Sequence, residues 1–126
     1  MSTRVLVIDD DEIDRTALKR KLKKWRRRIT FLEAKDRDEA FRIVNEEAPD
    51  VIFCDWALAP YRDGLEFVTW VREHEADNDN TTPIVIVSGY LDETLVSDSL
   101  RCGANAALEK PVDPEQLRWT MDDLGV

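Results

Sequence analysis

The sequence predicts an α/β domain in which a parallel five-stranded sheet is covered by helices on both faces. Short apolar runs rich in Val and Ile recur at 5–8, 51–54 and 84–87, with a smaller run, AAL, at 106–108 and a more mixed stretch, ITFLEA, at 29–34. A segment with helical spacing follows each of them. Capping Asp residues, Gly and Pro mark the boundaries. Runs this short and apolar on both faces read as buried parallel strands. Strand then helix, five times over, implies right-handed crossovers that place helices on both sides of one sheet.

The first strand is VLVI, and the helix after it carries Ile13, Ala17, Leu18, Leu22 and Trp25, read as one buried stripe with basic residues around the other side. ITFLEA, more polar, belongs nearer a sheet edge. Asp36 is placed to cap the second helix, which should bury Ala40, Ile43 and Val44 and end before Pro49. VIFC is the third strand. The third helix is expected from about Gly64 to Ala76, with Leu65, Val68 and Val71 inward, followed by the polar link DNDNTT. After IVIV a fourth helix spans about 92 to 102 and stops at Gly103, a natural left-handed cap position. After AAL the fifth opens with Asp113 as cap and Pro114 at the first helical position, with Leu117, Met121 and Leu124 inward and Trp119 off that stripe.

At 126 residues the chain has the size of one domain, so residues 1–126 are read as a single unit. No apolar stretch approaches the roughly 18 residues a spanning helix needs, and the start MSTRVLVIDD lacks the pattern of a signal peptide, which points to the cytoplasm and away from membrane work. Cys54 and Cys102 have no partner cysteine nearby in sequence and read as reduced thiols. A net charge of -9 argues against general nucleic-acid affinity. Half of the 18 basic residues nevertheless fall between Arg15 and Arg28, a local exception to the acidic balance. His74, the only histidine, lies among Glu73 and Glu75 as a solvated helix residue and supplies no catalytic dyad.

In an open parallel sheet the ligand site lies beyond the carboxyl ends of the strands, where strand order reverses. The first strand is followed by Asp9, Asp10 and Asp11, the third by Asp55, the fourth by Ser88 and Gly89, and the fifth by Lys110 and Pro111. Taken singly each is ordinary capping or turn chemistry; together they make one site. Three carboxylates converging from Asp9, Asp10 and Asp55 would repel one another unless a cation joins them. Mg2+ suits all-oxygen ligation that leaves room for phosphate oxygens, whereas zinc would bring Cys or His. An aspartate nucleophile can then attack phosphorus in line while a hydroxyl (Ser88) and an ammonium (Lys110) neutralise the equatorial oxygens.

VLVIDDDE, DVIFCDW, the DG at 63 to 64, PIVIVSGY and the stretch from Gly103 and Ala104 to Lys110 and Pro111 resemble the successive signatures of response-regulator receiver domains of two-component systems. The resemblance covers essentially the whole chain and implies the flavodoxin-like fold with strand order 2-1-3-4-5. It implies Asp55 as phosphoacceptor, Asp10 and Asp55 as direct Mg2+ ligands, Asp9 as a ligand through water, and the backbone carbonyl of Ala57 as a further ligand, with Mn2+ as a substitute metal. Ser88 and Lys110 would contact the phosphoryl group, and the Lys110–Pro111 bond would be cis. The implied partners are a histidine kinase or histidine phosphotransfer protein meeting the first helix, and an effector protein or a second copy meeting the fourth and fifth helices. No catalytic turnover is implied beyond self-catalysed phosphoryl transfer to Asp55 and slow autodephosphorylation.

Three features depart from the usual pattern. The loop from Asp55 to Gly64 is one residue longer, with Pro60 displaced. Ala107 stands where an aromatic switch residue is usual, three places before the lysine. Gly89 and Tyr90 follow Ser88, which makes Tyr90 the candidate switch residue beside Ser88. Two rival functions use the same residues. A small haloacid-dehalogenase-like phosphatase would take Asp9 as nucleophile and Asp11 as acid, leaving Asp55 without a role. A pseudo-receiver would be a binding module that never uses its phosphate, an idea opposed by the complete set Asp9, Asp10, Asp55, Ser88 and Lys110.

Overall fold

The computed structural model describes residues 2–26, 28–58, 64–75 and 81–126. Elements alternate throughout: β1 (Thr3–Ile8), α1 (Glu12–Trp25), β2 (Ile29–Ala34), α2 (Arg37–Glu47), β3 (Val51–Asp55), α3 (Gly64–Glu75), β4 (Ile84–Ser88), α4 (Glu93–Cys102), β5 (Ala106–Glu109) and α5 (Pro114–Leu124). All strand pairs are parallel, in the order β2-β1-β3-β4-β5. This is the flavodoxin-like arrangement that the receiver-domain resemblance implies.

Side chains along a strand alternate between faces, and the central strands are apolar on both. Val5, Val7, Val51, Phe53, Val85 and Val87 pack with Leu18 and Leu22 of α1 and Leu117 and Met121 of α5. Leu6, Ile8, Ile52, Cys54, Ile84 and Ile86 pack on the other side with Ala40 and Ile43 of α2 and Phe67, Val68 and Val71 of α3. That two-sided burial is why β1, β3 and β4 read as unbroken apolar runs. The edge strand β2 is only partly covered.

The carboxylates of Asp36 and Asp113 accept helix-start N–H groups and Gly103 takes the left-handed conformation at φ 113°, as expected; Asp92, read as the start of the fourth helix, instead caps it. One reading is corrected. Ile13 is 78% exposed and Ala17 is also exposed, so they are not part of the buried stripe of α1. At about 100° per residue, Ile13 lies roughly 140° around the helix from Leu18, so the face turned to the sheet holds only Leu18, Leu22 and the half-buried Trp25. Trp119 is 62% exposed on α5, off the Leu117 and Met121 stripe as expected. Pro60, Asp63, Ala76 and most of the DNDNTT link fall outside the described residues. No helix among the described residues is long and apolar enough to cross a membrane.

Candidate functional site

Strand order reverses between β1 and β3, because the chain leaves β1 toward β2 on one side and β3 toward β4 on the other. Asp9 and Asp10 leave the end of β1, Asp55 ends β3, Ser88 ends β4, and Lys110 follows β5. The fold therefore gathers the candidate residues at one edge, at the reversal point.

Asp9, Asp10 and Asp55 each offer a carboxylate oxygen, and these atoms lie within 4.8 Å of one another. Among the described residues this is the one such cluster, and it contains neither His nor Cys. Asp9 and Asp55 are buried and Asp10 is exposed. Asp9 Oδ1 accepts the Asp11 N–H (2.9 Å), and Asp9 Oδ2 accepts from Lys110 Nζ (2.8 Å). Asp55 Oδ1 accepts the Ala57 N–H at 3.1 Å. Lys110 Nζ also donates to Asp14 Oδ2 at 2.9 Å and stands 3.6 Å from Asp55 Oδ2.

Burial pushes the Asp55 carboxyl above its ordinary value and the Asp9 charge adds to this, against the pull of the Ala57 N–H and Lys110. Burial raises Asp9 as well, more than its bond from Lys110 lowers it. Burial alone would lower Lys110, but Asp9 and Asp14 bond its ammonium and hold it well above the usual lysine value. The cluster thus resists full ionisation with protein groups alone. Its all-oxygen donor set, one exposed and two buried carboxylates, fits a hard divalent cation that retains waters.

Ser88 is buried, yet its hydroxyl faces its own loop: it donates to the Tyr90 carbonyl at 2.7 Å and accepts the Tyr90 N–H at 3.2 Å. Tyr90 is 74% exposed, beside a groove lined by Trp56, Ala57, Ser88 and Leu95. Lys110 N–H bonds the Ser88 carbonyl at 2.7 Å, and the Lys110–Pro111 bond is cis. His74 packs against Trp70 on α3, the rings 4.0 Å apart between centroids and tilted by 34°.

Three contacts went unread in the sequence. Asp14 shares Lys110, the Ala57 N–H fixes Asp55, and Glu109 Oε1 accepts the Leu91 N–H at 2.9 Å, tying the loop after β4 to β5. An acid one turn beyond Asp10 is a weak signal, since acids at a helix start are commonly dipole partners.

The family model described as the response regulator receiver domain matches residues 5–122. The transcriptional regulatory protein YdfI of Bacillus subtilis is 30% identical over 119 residues, 94% of this chain, and the chain spans 53% of that relative. A crystal structure of a response regulator from Thermotoga maritima is similar at 26% identity and TM-score 0.82, covering 98% of both chains. Another, of a response regulator protein from Burkholderia pseudomallei with a phosphorylated aspartic acid, calcium ion and citrate, is 26% identical with TM-score 0.76, covering 92% of this chain and 64% of that one. With the parallel order β2-β1-β3-β4-β5 and the strand-end carboxylates already established, the chain belongs to the response regulator receiver domains of two-component systems.

Proposed function

We propose that residues 1–126 act as one phosphoacceptor receiver, in which Asp55 takes a phosphoryl group from a histidine kinase or histidine phosphotransfer protein in a Mg2+-dependent step. The observation that carries this is the convergence of Asp9, Asp10 and Asp55 within 4.8 Å, with the Lys110 ammonium 3.6 Å from Asp55. The Burkholderia relative with a phosphorylated aspartic acid is consistent with it.

Asp10 and Asp55, the Ala57 carbonyl and, through water, Asp9 would hold the metal, which supplies charge neutralisation for the phosphoryl oxygens. A carboxylate oxygen of Asp55 attacks phosphorus, and the bond from phosphorus to the donor imidazole nitrogen breaks with its electron pair returning to the ring. The Ala57 N–H fixes the other Asp55 oxygen, and Lys110 donates to the transferring group. Ser88 joins by giving up its bond to the Tyr90 carbonyl, which frees the loop carrying Tyr90 to report the change. The protein then signals by contact rather than by turnover, apart from its own slow dephosphorylation.

The docking face for the donor is the solvent side of α1, where the exposed Ile13 and Ala17 share a face with the exposed Arg20 and Lys24. The exposure of Trp119 and Leu100 supports α4 and α5 as the face for an effector or a second copy. The overall acidic charge disfavours nucleic acid as that partner, and a cytoplasmic setting suits a kinase donor. The phosphatase alternative loses its acid, because Asp11 caps α1 by accepting the Ile13 N–H at 2.9 Å. Intact mass after acetyl phosphate tests the proposal: wild type with Mg2+ should gain one phosphoryl group, and neither chelated wild type nor Asp55→Asn should. An unchanged gain in Asp55→Asn would refute it, and a wild type that gains nothing would favour the pseudo-receiver.

A further inference from the structure

An ammonium has three protons to give, and Lys110 has already committed two of them, to Asp9 at 2.8 Å and Asp14 at 2.9 Å. Its distance to Asp55 Oδ2, 3.6 Å, is beyond a hydrogen bond. We propose that Asp14 is a positioning residue that competes with the phosphoryl group for the Lys110 ammonium and thereby weakens the phosphorylated state; this rests on Asp55 being the phosphoacceptor.

The two carboxylates that hold Lys110 are unequal. Asp9 is fixed at the end of β1, its side chain 7% exposed and its second oxygen bonded by the Asp11 N–H. Asp14 reaches across from the first turn of α1, and its side chain is 40% exposed. The lysine backbone is pinned by its bond to the Ser88 carbonyl at 2.7 Å, so only the side chain can swing. To serve phosphoryl oxygens beyond Asp55, the ammonium must move away from α1. The bond that stretches is the one to the more solvated acceptor, Asp14. Its charge, left close to a dianionic group, then opposes that group as well. What Asp14 sets is how firmly the phosphoryl group is held.

The test compares wild type with Asp14→Asn, which keeps the shape and loses the charge, and Glu12→Gln, which loses a charge in the same helical turn. Asp14→Glu keeps the carboxylate. Beryllofluoride, a phosphoryl analogue, is titrated in Mg2+ and followed by tryptophan fluorescence. Asp14→Asn should bind about two- to fivefold more tightly, the range of a partly exposed ion pair, while Glu12→Gln and Asp14→Glu match wild type. In metal-free protein, the 15N resonance of the Lys110 ammonium should shift in Asp14→Asn and stay in place in Glu12→Gln. Wild-type binding with equal or weaker binding by Asp14→Asn overturns the competition alone, as does an equal tightening in Glu12→Gln. Absence of any binding by wild type overturns the phosphoacceptor reading and the competition with it.

Discussion

Replacing Asp55 by Asn should make the metal-free protein more stable, because the native site holds a buried carboxylate against its neighbours. The Asp55 carboxylate shares a cluster within 4.8 Å with those of Asp9 and Asp10, so at an effective dielectric of about 20 the buried Asp9 repels it by about 3.5 kcal/mol, and the exposed Asp10, screened by solvent, adds less. The Lys110 ammonium, 3.6 Å away but hydrogen-bonded to Asp9 and Asp14, offsets part of this. Burial of Asp55 is the larger cost, and with the Asp9 charge it opposes the ionised form. The amide retains an oxygen for the Ala57 N–H, so no buried donor is orphaned. The gain should be about 1 to 2 kcal/mol, or roughly 3 to 8 °C in Tm for a chain of 126 residues. Urea unfolding at pH 7 in chelator measures it. Added Mg2+ should stabilise wild type through binding to the native state and narrow the gap. An Asp55→Asn protein no more stable than wild type in chelator would refute the reasoning. The sign with pH follows: Asp9 and Asp55 have folded values above the unfolded 3.8, so the stability they contribute is complete below 3.8 and is lost as pH rises through those folded values. Glu33 works the other way: although burial raises it, Lys19 and Arg15 hold it low, so its contribution is lost on acidification. The difference between wild type and Asp55→Asn across a pH series isolates the Asp55 share, which should shrink as pH falls from 7 toward 4.

Gly64→Ala should destabilise by about 1 to 3 kcal/mol, because a Cβ there would sit 2.5 Å from the Asp55 carbonyl oxygen and 2.7 Å from the Trp56 Cα, both backbone atoms that cannot rotate away; chemical denaturation reads it, and an unchanged midpoint would mean α3 can slide outward. Leu117→Ala, removing a fully buried side chain that anchors α5, should cost about 2 to 5 kcal/mol by the same measurement. Reversing Arg20 and Lys24 to Glu should slow phosphoryl transfer from a protein donor, most at low salt, and leave acetyl phosphate untouched; equal slowing with both donors would show damage at the site instead of lost docking.

Much of the fold is legible because β1, β3 and β4 are buried on both faces, which leaves no alternation to misread and makes strand type almost independent of register. The caps at Asp36 and Asp113 were equally plain, each acid standing directly before its helix. The first helix was harder. Its apolar residues occupy two faces, and only one of them meets the sheet. Composition cannot tell a buried Leu18 from an exposed Ile13 unless the rotation of the helix is known, and that rotation is fixed by packing of Leu18 and Leu22 against Val5, Val7 and the neighbouring strands.

The same rotation explains why the strand-end residues of the candidate site were readable and its helical neighbour was not. A residue that ends a parallel strand has its location settled by topology, so Asp9, Asp55, Ser88 and Lys110 could be gathered on one edge without side-chain coordinates. Asp14 is different: whether it faces solvent or Lys110 depends on which way α1 turns. With Leu18 and Leu22 turned to the sheet, position 14 falls about 40° from position 18 toward the end of β5, where the lysine ammonium lies 2.9 Å away. That places a third acid on a lysine already bonded by Asp9. The first-helix face that exposes Ile13, Arg20 and Lys24, proposed to meet the donor, and the turn that aims Asp14 at Lys110 are thus two consequences of one packing decision. A substitution at Leu18 or Leu22 that rotated the helix would move the proposed docking face and the Asp14 hold on Lys110 together.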